Sequence, residues 1–229
     1  MSRFGAVIFD LFGTLVYEFP RADWDRWFVR SAEALGIDAV AFRREWEATS
    51  VQRQTGRLGD AEANIRELCR RVGVDPSPDQ VAAALEVRMV MYKRWFVPTP
   101  GTIDTLRWLR ARRVPTALIS QCAPDTPPLW RASPLAELVD VEVFSSEVGL
   151  RKPDPAIYLH ACRGLGVAPD VCLYIGDGSY SELSGAKAVG MTAVLVLDPE
   201  VEPGGIARSE ADEWTGERIT SIAEVPGLL

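Results

Sequence analysis

The stretch Gly5–Val16, GAVIFDLFGTLV, predicts how the rest of the chain is organised. It begins with a short apolar run, Ala6–Phe9, whose length and β-branched content are typical of a buried parallel strand. The run ends at a carboxylate, Asp10, and the pair Gly13-Thr14 follows in a predicted turn. Because open α/β sheets bind ligands at the carboxyl ends of their strands, Asp10 is a candidate functional acid. The residues leave a second interpretation open, in which Asp10 only caps the turn.

Three later stretches repeat this arrangement of polar side chains beside an apolar run or before a predicted helix. In chain order they are Val114–Ser120, Gly149–Pro155 and Cys172–Glu182. Together with the first stretch they resemble the four signature motifs of the haloacid dehalogenase-like hydrolase superfamily. The resemblance spans residues 10–182 and has the motifs in the order of that superfamily.

Hydrophobic periodicity predicts two kinds of structure along the chain. Residues 17–97 show apolar stripes at helical spacing, with caps at Asp60 and Ser77, and predict an all-helical block. A single helix is expected over 39–54. From Gly101 onward, helix and strand patterns alternate, with a loop at 202–205 and a short strand and helix over 219–229.

The fold class predicted from these patterns is α/β, a Rossmann-like parallel sheet with helices on both faces. Residues 1–16 and 98–229 would form the core hydrolase domain. In the resembled superfamily, a helical block inserted after the first strand is a cap domain over the active site, and here the cap would be 17–97.

The resemblance implies roles for individual residues of the first three motifs. Asp10 would be the nucleophile, because a carboxylate that attacks phosphorus or carbon forms a covalent ester that water then opens. Thr14 and Ser120 would position the transferring group through their hydroxyls. Lys152 would supply a fixed positive charge. The substrate-lining residues expected here are Phe12, Gly13 and Gln121.

The fourth motif predicts a Mg²⁺ site. Asp177 and Glu182 form a GDxxxxE arrangement after a predicted strand, and hard carboxylate oxygens suit this ion. The resemblance adds Asp10 and the backbone carbonyl of Phe12 as further ligands. Glu182 stands where the superfamily usually has aspartate. The Gly-Asp pair also argues against the metal-free dehalogenases, which do not keep it.

Phe12 is where the sequence departs from the phosphatases of this superfamily. Most of them have a second aspartate at this position, which protonates the leaving group and activates water. General acid catalysis of this kind is typically worth about 10²–10⁴-fold. Either the leaving group needs little protonation, a nearby cap acid replaces it (Glu18, Asp23 or Asp25), or the protein is a poor catalyst.

Composition excludes several function classes. The 229 residues carry a net charge of −7, which predicts neither nucleic-acid nor membrane binding. Four cysteines lack metal or disulfide spacing and fit a reducing compartment. The first strand begins almost at once, so no signal peptide is predicted and a cytoplasmic location is expected. The expected partner is a small molecule, and the chain is expected to be a monomer or homodimer.

These observations predict a Mg²⁺-dependent phosphatase of a small phosphorylated metabolite, which acts through an aspartyl-phosphate on Asp10. Two alternatives remain open. The first is a 2-haloacid dehalogenase-like enzyme, favoured by Phe12, since those enzymes also lack the second acid. The second is a catalytically weak member of the superfamily that binds or regulates.

Overall fold

The structure is a computed structural model that describes residues 3–198, 204 and 207–229. Within that part of the chain, six parallel strands form one sheet with the order β3-β2-β1-β4-β5-β6. The strands are β1 (Ala6–Phe9), β2 (Thr116–Ser120), β3 (Val141–Phe144), β4 (Cys172–Gly176), β5 (Thr192–Val196) and β6 (Arg218–Ile219). The predicted Rossmann-like parallel sheet is confirmed.

Helices cover both faces of the sheet. Successive residues of a strand therefore pack alternately into two apolar clusters, one on each face. On β4, Leu173 and Ile175 pack into one apolar cluster, whereas Cys172 and Tyr174 pack into the other. The α-helices outside residues 17–97 are α6 (Thr102–Ala111), which precedes β2, and α7 (Thr126–Arg131), α8 (Ser145–Val148), α9 (Pro155–Leu165) and α10 (Glu182–Ala188), which follow it.

Of the six helices between β1 and β2, the first five bury an apolar cluster of their own. They are α1 (Arg21–Leu35), α2 (Ala39–Ala48), α3 (Ser50–Gln54), α4 (Ala61–Arg71) and α5 (Pro78–Trp95). The cluster is rich in aromatic rings, with Trp27 and Phe42 at its centre. This cluster, separate from the two that flank the sheet, is what an inserted cap would need in order to be stable. We use the name cap for residues 17–97; the division into domains remains a prediction.

The single helix expected over 39–54 is wrong, since the structure divides it at Thr49 into α2 and α3. The Thr49 hydroxyl donates to the carbonyl oxygens of Glu45 (2.7 Å) and Trp46 (3.3 Å). Threonine hydroxyls that bond back to the preceding turn compete with the helical ladder and bend helices. The caps at Asp60 and Ser77 are as predicted, and Ser77 forms a capping box with Gln80.

The chain enters and leaves the cap through two segments that run side by side. Val16 and Pro98 form an antiparallel bridge. On either side of it, the Tyr17 amide donates to the Val97 carbonyl (3.1 Å) and the Thr99 amide to the Leu15 carbonyl (3.0 Å). These paired segments lie at the boundaries predicted for the cap.

The end of the chain differs slightly from the expectation. A strand of two residues, β6, is followed by 3₁₀ turns over Ile222–Leu228 in place of an α-helix, and Pro226 lies inside them. The loop predicted at 202–205 lies outside the described residues, apart from Gly204. Among the helices described, none has the length and apolar character needed to cross a membrane.

Candidate active site

The carboxyl ends of β1, β2 and β4 bring the predicted motifs to one edge of the sheet. These three strands are neighbours at the centre of the sheet, so Asp10, Ser120 and Asp177 emerge side by side. The Asp10 amide still donates to the Ile175 carbonyl of β4 (2.9 Å), which fixes the backbone of the acid. Carboxylate oxygens of Asp10, Asp177 and Glu182 lie within 4.8 Å of one another. We call these three residues the acid cluster.

Lys152 is buried against the acid cluster. Its Nζ lies 2.5 Å from Oδ1 of Asp10 and 2.5 Å from Oε2 of Glu182, and the side chain is 1% exposed. Burial acts to lower the pKa of Lys152, but the charges of Asp10 and Glu182 outweigh it and hold that pKa above its ordinary value. The lysine is therefore a permanent cation beside the candidate nucleophile.

Glu182 contacts the protein through both carboxylate oxygens. Oε2 accepts from Lys152 and from the Tyr174 hydroxyl (2.7 Å), and Oε1 accepts from the Gly178 amide (3.1 Å). Burial, followed by the nearby charge of Asp10, raises the pKa of Glu182 to about 8. These contacts make Glu182 the residue that orients Lys152; its role as a metal ligand remains a prediction.

Asp177 is held by one backbone amide and one arginine. Oδ1 accepts from the Ser179 amide (2.9 Å), and Oδ2 accepts from Nε of Arg208 (3.0 Å). Gly13 approaches so closely that a Cβ there would lie 2.4 Å from Oδ2, and its φ of +78° also favours glycine. Gly13 thus leaves room for the Asp177 carboxylate at this edge.

The acid cluster has the donors and the charge that Mg²⁺ requires. Its ligand atoms are hard carboxylate oxygens, which this ion prefers. Lys152 contacts Asp10 and Glu182, and Arg208 contacts Asp177, so the carboxylates are held in place beside two cations. The residues present therefore fit the ion, and Asp10 and Asp177 are the side chains that would hold it.

A cavity of about 20 Å³ lies beside Asp10 and collects most of the remaining predicted residues. We call it the nucleophile pocket. Its wall consists of Asp10, Phe12, Glu18, Ser120, Gln121, Ser179 and Tyr180. The Ser120 hydroxyl is buried and makes no hydrogen bond to the described residues. Thr14 is not in this wall: it lines a neighbouring cavity with Gly13 and Arg208.

The Phe12 ring belongs to an aromatic group that joins the core to the cap. Its centroid lies 5.0 Å from that of Phe19, 6.2 Å from that of Tyr92 and 6.0 Å from that of Phe96. Such contacts stabilise the packing of aromatic rings in addition to the area they bury. Phe12 is therefore a packing residue between the core and the cap.

A larger cavity of about 390 Å³ opens between the cap and the core. We call it the cap cavity. It shares Phe12, Gln121 and Tyr180 with the nucleophile pocket, so the two are separated only by these side chains. Of the acids that could replace the missing aspartate, Glu18 lines the nucleophile pocket and Asp25 lines the cap cavity, whereas Asp23 lines neither.

Polar contacts tie the cap to the core around this cavity. Gln121 Nε2 donates to Gln54 Oε1 (3.0 Å), and Gln54 Nε2 donates to the Tyr180 hydroxyl (3.2 Å). Arg88 of α5 forms a buried ion pair with Asp125, which precedes α7. Each contact joins residues from different parts of the sequence, so the cap is closed against the core in this structure.

Sequence reasoning missed Arg208, Tyr174 and Tyr180. Arg208 lies in the tail, where no motif marks it, and reaches Asp177 only through the tertiary fold. Tyr174 could have been predicted, because alternate residues of a strand point to the same face and Tyr174 therefore shares a face with Gly176. Its hydroxyl bonds Glu182 on that face. Tyr180 has a φ of +55°, which the sequence does not signal.

Comparison with known proteins agrees with this geometry. A family model described as a haloacid dehalogenase-like hydrolase matches residues 4–190. A phosphoglycolate phosphatase of Pseudomonas putida is 30% identical over 200 residues, covering 82% of this chain and 67% of that protein. A glyceraldehyde 3-phosphate phosphatase of Methanopyrus kandleri is 32% identical over 131 residues, so the match spans about half of each chain, 56%.

Solved structures share the fold at low sequence identity. A phosphatase of Thermococcus onnurineus has a TM-score of 0.65 at 22% identity and covers 100% of this chain and 97% of its own. An L-2-haloacid dehalogenase of Xanthobacter autotrophicus has a TM-score of 0.64 at 20% identity, with 98% of both chains covered. The family model covers most of the sequence and all four motifs, and the chain therefore belongs to the haloacid dehalogenase-like hydrolases.

Proposed function

We propose that this hydrolase is a Mg²⁺-dependent phosphatase of a small phosphorylated metabolite, with Asp10 as its nucleophile. The observation that carries the proposal is the contact of Lys152 with Asp10 and Glu182 beside Asp177. Phosphoryl transfer depends mainly on positioning and on neutralising charge, and this group supplies both. The phosphatase names of the relatives in Pseudomonas and Methanopyrus support the same reaction.

The reaction would proceed in two displacements at phosphorus. Lys152 holds Oδ1 of Asp10, which leaves Oδ2 to attack phosphorus while the bond to the leaving oxygen breaks. Water then attacks the phosphorus of the acyl phosphate, and the Asp10 carboxylate is released with inorganic phosphate. The buried Ser120 hydroxyl would donate to a phosphoryl oxygen. Mg²⁺ bound at the acid cluster would neutralise phosphoryl oxygens during both steps.

Glu18 is the candidate proton carrier in place of the missing aspartate. It is buried in the wall of the nucleophile pocket together with Asp10. It would protonate the departing alkoxide and later take a proton from the attacking water. An aryl leaving group needs this proton far less than an alkyl one.

Substitution of Glu18 tests this assignment. Glu18→Gln is expected to lower kcat on alkyl phosphates by about 10²–10⁴-fold, with a much smaller loss on 4-nitrophenyl phosphate. Asp23→Asn is the matched control, because Asp23 lies outside both cavities, where it bonds Arg26 and Trp95. An equal loss on aryl and alkyl substrates would show that Glu18 does not transfer the proton.

The proposed function is tested by hydrolysis of 4-nitrophenyl phosphate with and without Mg²⁺, for wild type and Asp10→Asn. Release that requires Mg²⁺ and is lost in Asp10→Asn is the expected result. If folded wild-type protein releases no phosphate in any condition, the phosphatase proposal fails.

A carbon–halogen hydrolase is the second candidate, and Phe12 is the observation that favours it. The fold is shared with an L-2-haloacid dehalogenase. Halide release from 2-haloacids without metal, at a rate above that of phosphate release, would replace the first candidate with this one. A chain that binds Mg²⁺ but hydrolyses neither substrate would instead be a binding member of the family.

A further inference from the structure

The inner wall of the cap cavity carries more positive than negative charge. Arg53 and Arg88 both line it, and each is 3% exposed. Arg88 is paired with Asp125, with Nη2 of Arg88 lying 3.2 Å from Oδ1 of Asp125. Arg53 forms no ion pair with any residue that the structure describes. Two guanidinium groups therefore share one carboxylate, which leaves one buried positive charge.

Arg53 is held in place by contacts to neutral groups. Arg53 Nη2 donates to the Trp46 carbonyl (2.7 Å) and Nε to the Thr49 hydroxyl (3.2 Å). The Arg53 guanidinium lies over the Trp46 ring, 3.2 Å from its centroid. Burial, followed by the charge of Arg88, lowers the pKa of Arg53 to about 9, so it remains a cation at neutral pH. Its geometry is fixed before any ligand arrives.

Arg88 has a hydrogen-bond donor left over. Its Nη1 is buried, and within the described part of the chain it finds no acceptor. Buried polar atoms in folded proteins nearly always have a partner, so an unused donor on a cationic group in a cavity wall points to a ligand. An isolated buried charge is also costly unless an opposite charge joins it.

The charged residues at the mouth of the cap cavity do not supply that opposite charge. Arg43, which is half-buried, pairs there with the exposed acids Asp25 (2.8 Å) and Glu47 (3.0 Å). Arg21 is exposed at the same mouth. These four side chains balance one another in water, and solvent screens them from the inner wall.

The remaining wall of the cap cavity is aromatic. Trp24, Phe28, Trp46 and Tyr92 line it beside Phe12 and Phe19. A volume of about 390 Å³ is within the range of sites for drug-sized ligands, about 300–1,000 Å³, and exceeds the needs of a two-carbon body. The cavity therefore suits an apolar or planar body that ends in an anion.

We propose that Arg53 and Nη1 of Arg88 bind a carboxylate at the end of the substrate remote from the phosphoryl group. The substrate would then be a phosphomonoester of an apolar or aromatic carboxylic acid. One negative charge matches the single excess positive charge, whereas a second phosphate dianion would exceed it. This inference rests on the proposed phosphatase function and adds a substrate class to it.

The two cavities that such a substrate would occupy are neighbours that share the side chains of Phe12, Gln121 and Tyr180. Gln54, next to Arg53 in the chain, bonds Gln121, and Gln121 lines the nucleophile pocket as well as the cap cavity. A ligand with its carboxylate at Arg53 and its phosphoryl group at Asp10 would therefore run beside Gln121.

Binding of three phosphonates that cannot be hydrolysed tests the proposal. They are phenylphosphonate, 4-carboxyphenylphosphonate and 4-carbamoylphenylphosphonate, titrated calorimetrically into wild-type protein with Mg²⁺. The carboxylate and its neutral amide have the same shape. A hydrogen bond to a charged partner predicts that the carboxylate binds about tenfold to a hundredfold more tightly than the amide.

Variants assign this preference to a residue. Arg53→Gln is expected to remove the difference between carboxylate and amide, and Arg53→Lys to keep part of it. Arg43→Gln, at the exposed mouth of the same cavity, should leave the ratio unchanged. If Arg53 only supports the end of α2, its loss would weaken all three ligands alike and keep their ratio.

The outcomes separate the two proposals. Equal affinity of wild type for the carboxylate and the amide overturns the carboxylate site, even where 4-nitrophenyl phosphate is hydrolysed. A carboxylate preference in a protein that hydrolyses no 4-nitrophenyl phosphate supports the site and contradicts the phosphatase. Failure of folded protein to bind any of the three contradicts the carboxylate site, whereas the phosphatase is decided by hydrolysis of 4-nitrophenyl phosphate. The comparison in wild type decides the matter if Arg53→Gln does not fold.

Discussion

Lys152 shows how one residue can determine the charge of a whole site. Its Nζ contacts both Asp10 and Glu182, and its side chain is only 1% exposed to solvent. Removing one partner of a buried ion pair leaves the other charges uncompensated, which costs more than the pair contributed. The lysine therefore affects stability as well as chemistry.

Lys152→Met is expected to abolish phosphatase activity and to lower the free energy of unfolding by about 3–5 kcal/mol. Urea unfolding followed by circular dichroism measures the second effect. Lys93→Met, at an exposed position near the end of α5, is the control and should change neither quantity. A Lys152→Met protein as stable as wild type would show that the acid cluster is neutralised in another way.

Gly13 lies so close to Asp177 that a larger residue would not fit there. A methyl group there would overlap Oδ2 of Asp177, in addition to the strain of a φ of +78°. Gly73 has nearly the same φ, +77°, but a Cβ at Gly73 would meet nothing within 4 Å. The pair separates the cost of the backbone conformation from the cost of the contact.

Gly13→Ala is therefore expected to lose Mg²⁺ affinity and activity, while Gly73→Ala loses only stability, about 1–2 kcal/mol. Calorimetric titration of Mg²⁺ and thermal unfolding, applied to both variants, distinguish the two effects. If Gly13→Ala binds Mg²⁺ as wild type does, Asp177 is not a ligand.

At the scale of elements, the sequence predicted those helix ends that are determined by contacts between residues close together in the chain. Asp60 and Ser77 cap their helices because each side-chain oxygen accepts a hydrogen bond from a backbone amide in the first turn of its own helix. The helix breaks at Thr49 because its hydroxyl bonds carbonyl oxygens of the preceding turn. The spacing of apolar residues carries no information about such a bond. The contact of Arg208 with Asp177 spans 31 residues and depends on how the tail folds back. Such long-range contacts were beyond prediction from the sequence.

The end of α3 touches the core through a glycine. Gly56 has a φ of +69°, and a Cβ on it would lie 2.1 Å from the carbonyl oxygen of Ser146 in α8. This is a close approach of cap backbone to core backbone, so any side chain at Gly56 would push the two apart.

Gly56→Ala is expected to raise KM by about tenfold or more, because the closed cap seats less well. Gly166→Ala is the matched control, since Gly166 has the same φ of +69° and open space around it. Steady-state kinetics on the same phosphate ester give both values. A KM unchanged in Gly56→Ala would mean that closure of the cap tolerates displacement at this contact.

At the scale of the whole molecule, the ion pair between Arg88 and Asp125 joins cap and core. Both side chains are at most 5% exposed. Asp125→Asn is expected to lower the free energy of unfolding by about 3–5 kcal/mol, because it leaves the guanidinium without its partner. Denaturant unfolding checks this. Glu62→Gln removes an exposed pair with Arg66 and should cost less than about 0.5 kcal/mol.

If Asp125→Asn opened the cap without lowering stability, hydrogen exchange would rise in α5 while the unfolding midpoint stayed constant. That result would assign the pair to closure alone.

The two paired segments at Val16 and Pro98 also bear on how the chain folds. The central strands β1 and β2 are separated by more than a hundred residues, and closing so long a loop slows folding. The antiparallel bridge brings the two ends of the insertion together. Once the inserted helices have packed, the effective length of the loop between β1 and β2 is much shorter. Formation of the insertion would thus precede assembly of the sheet, and of the catalytic edge, which requires Asp10 to meet Lys152 across 142 residues.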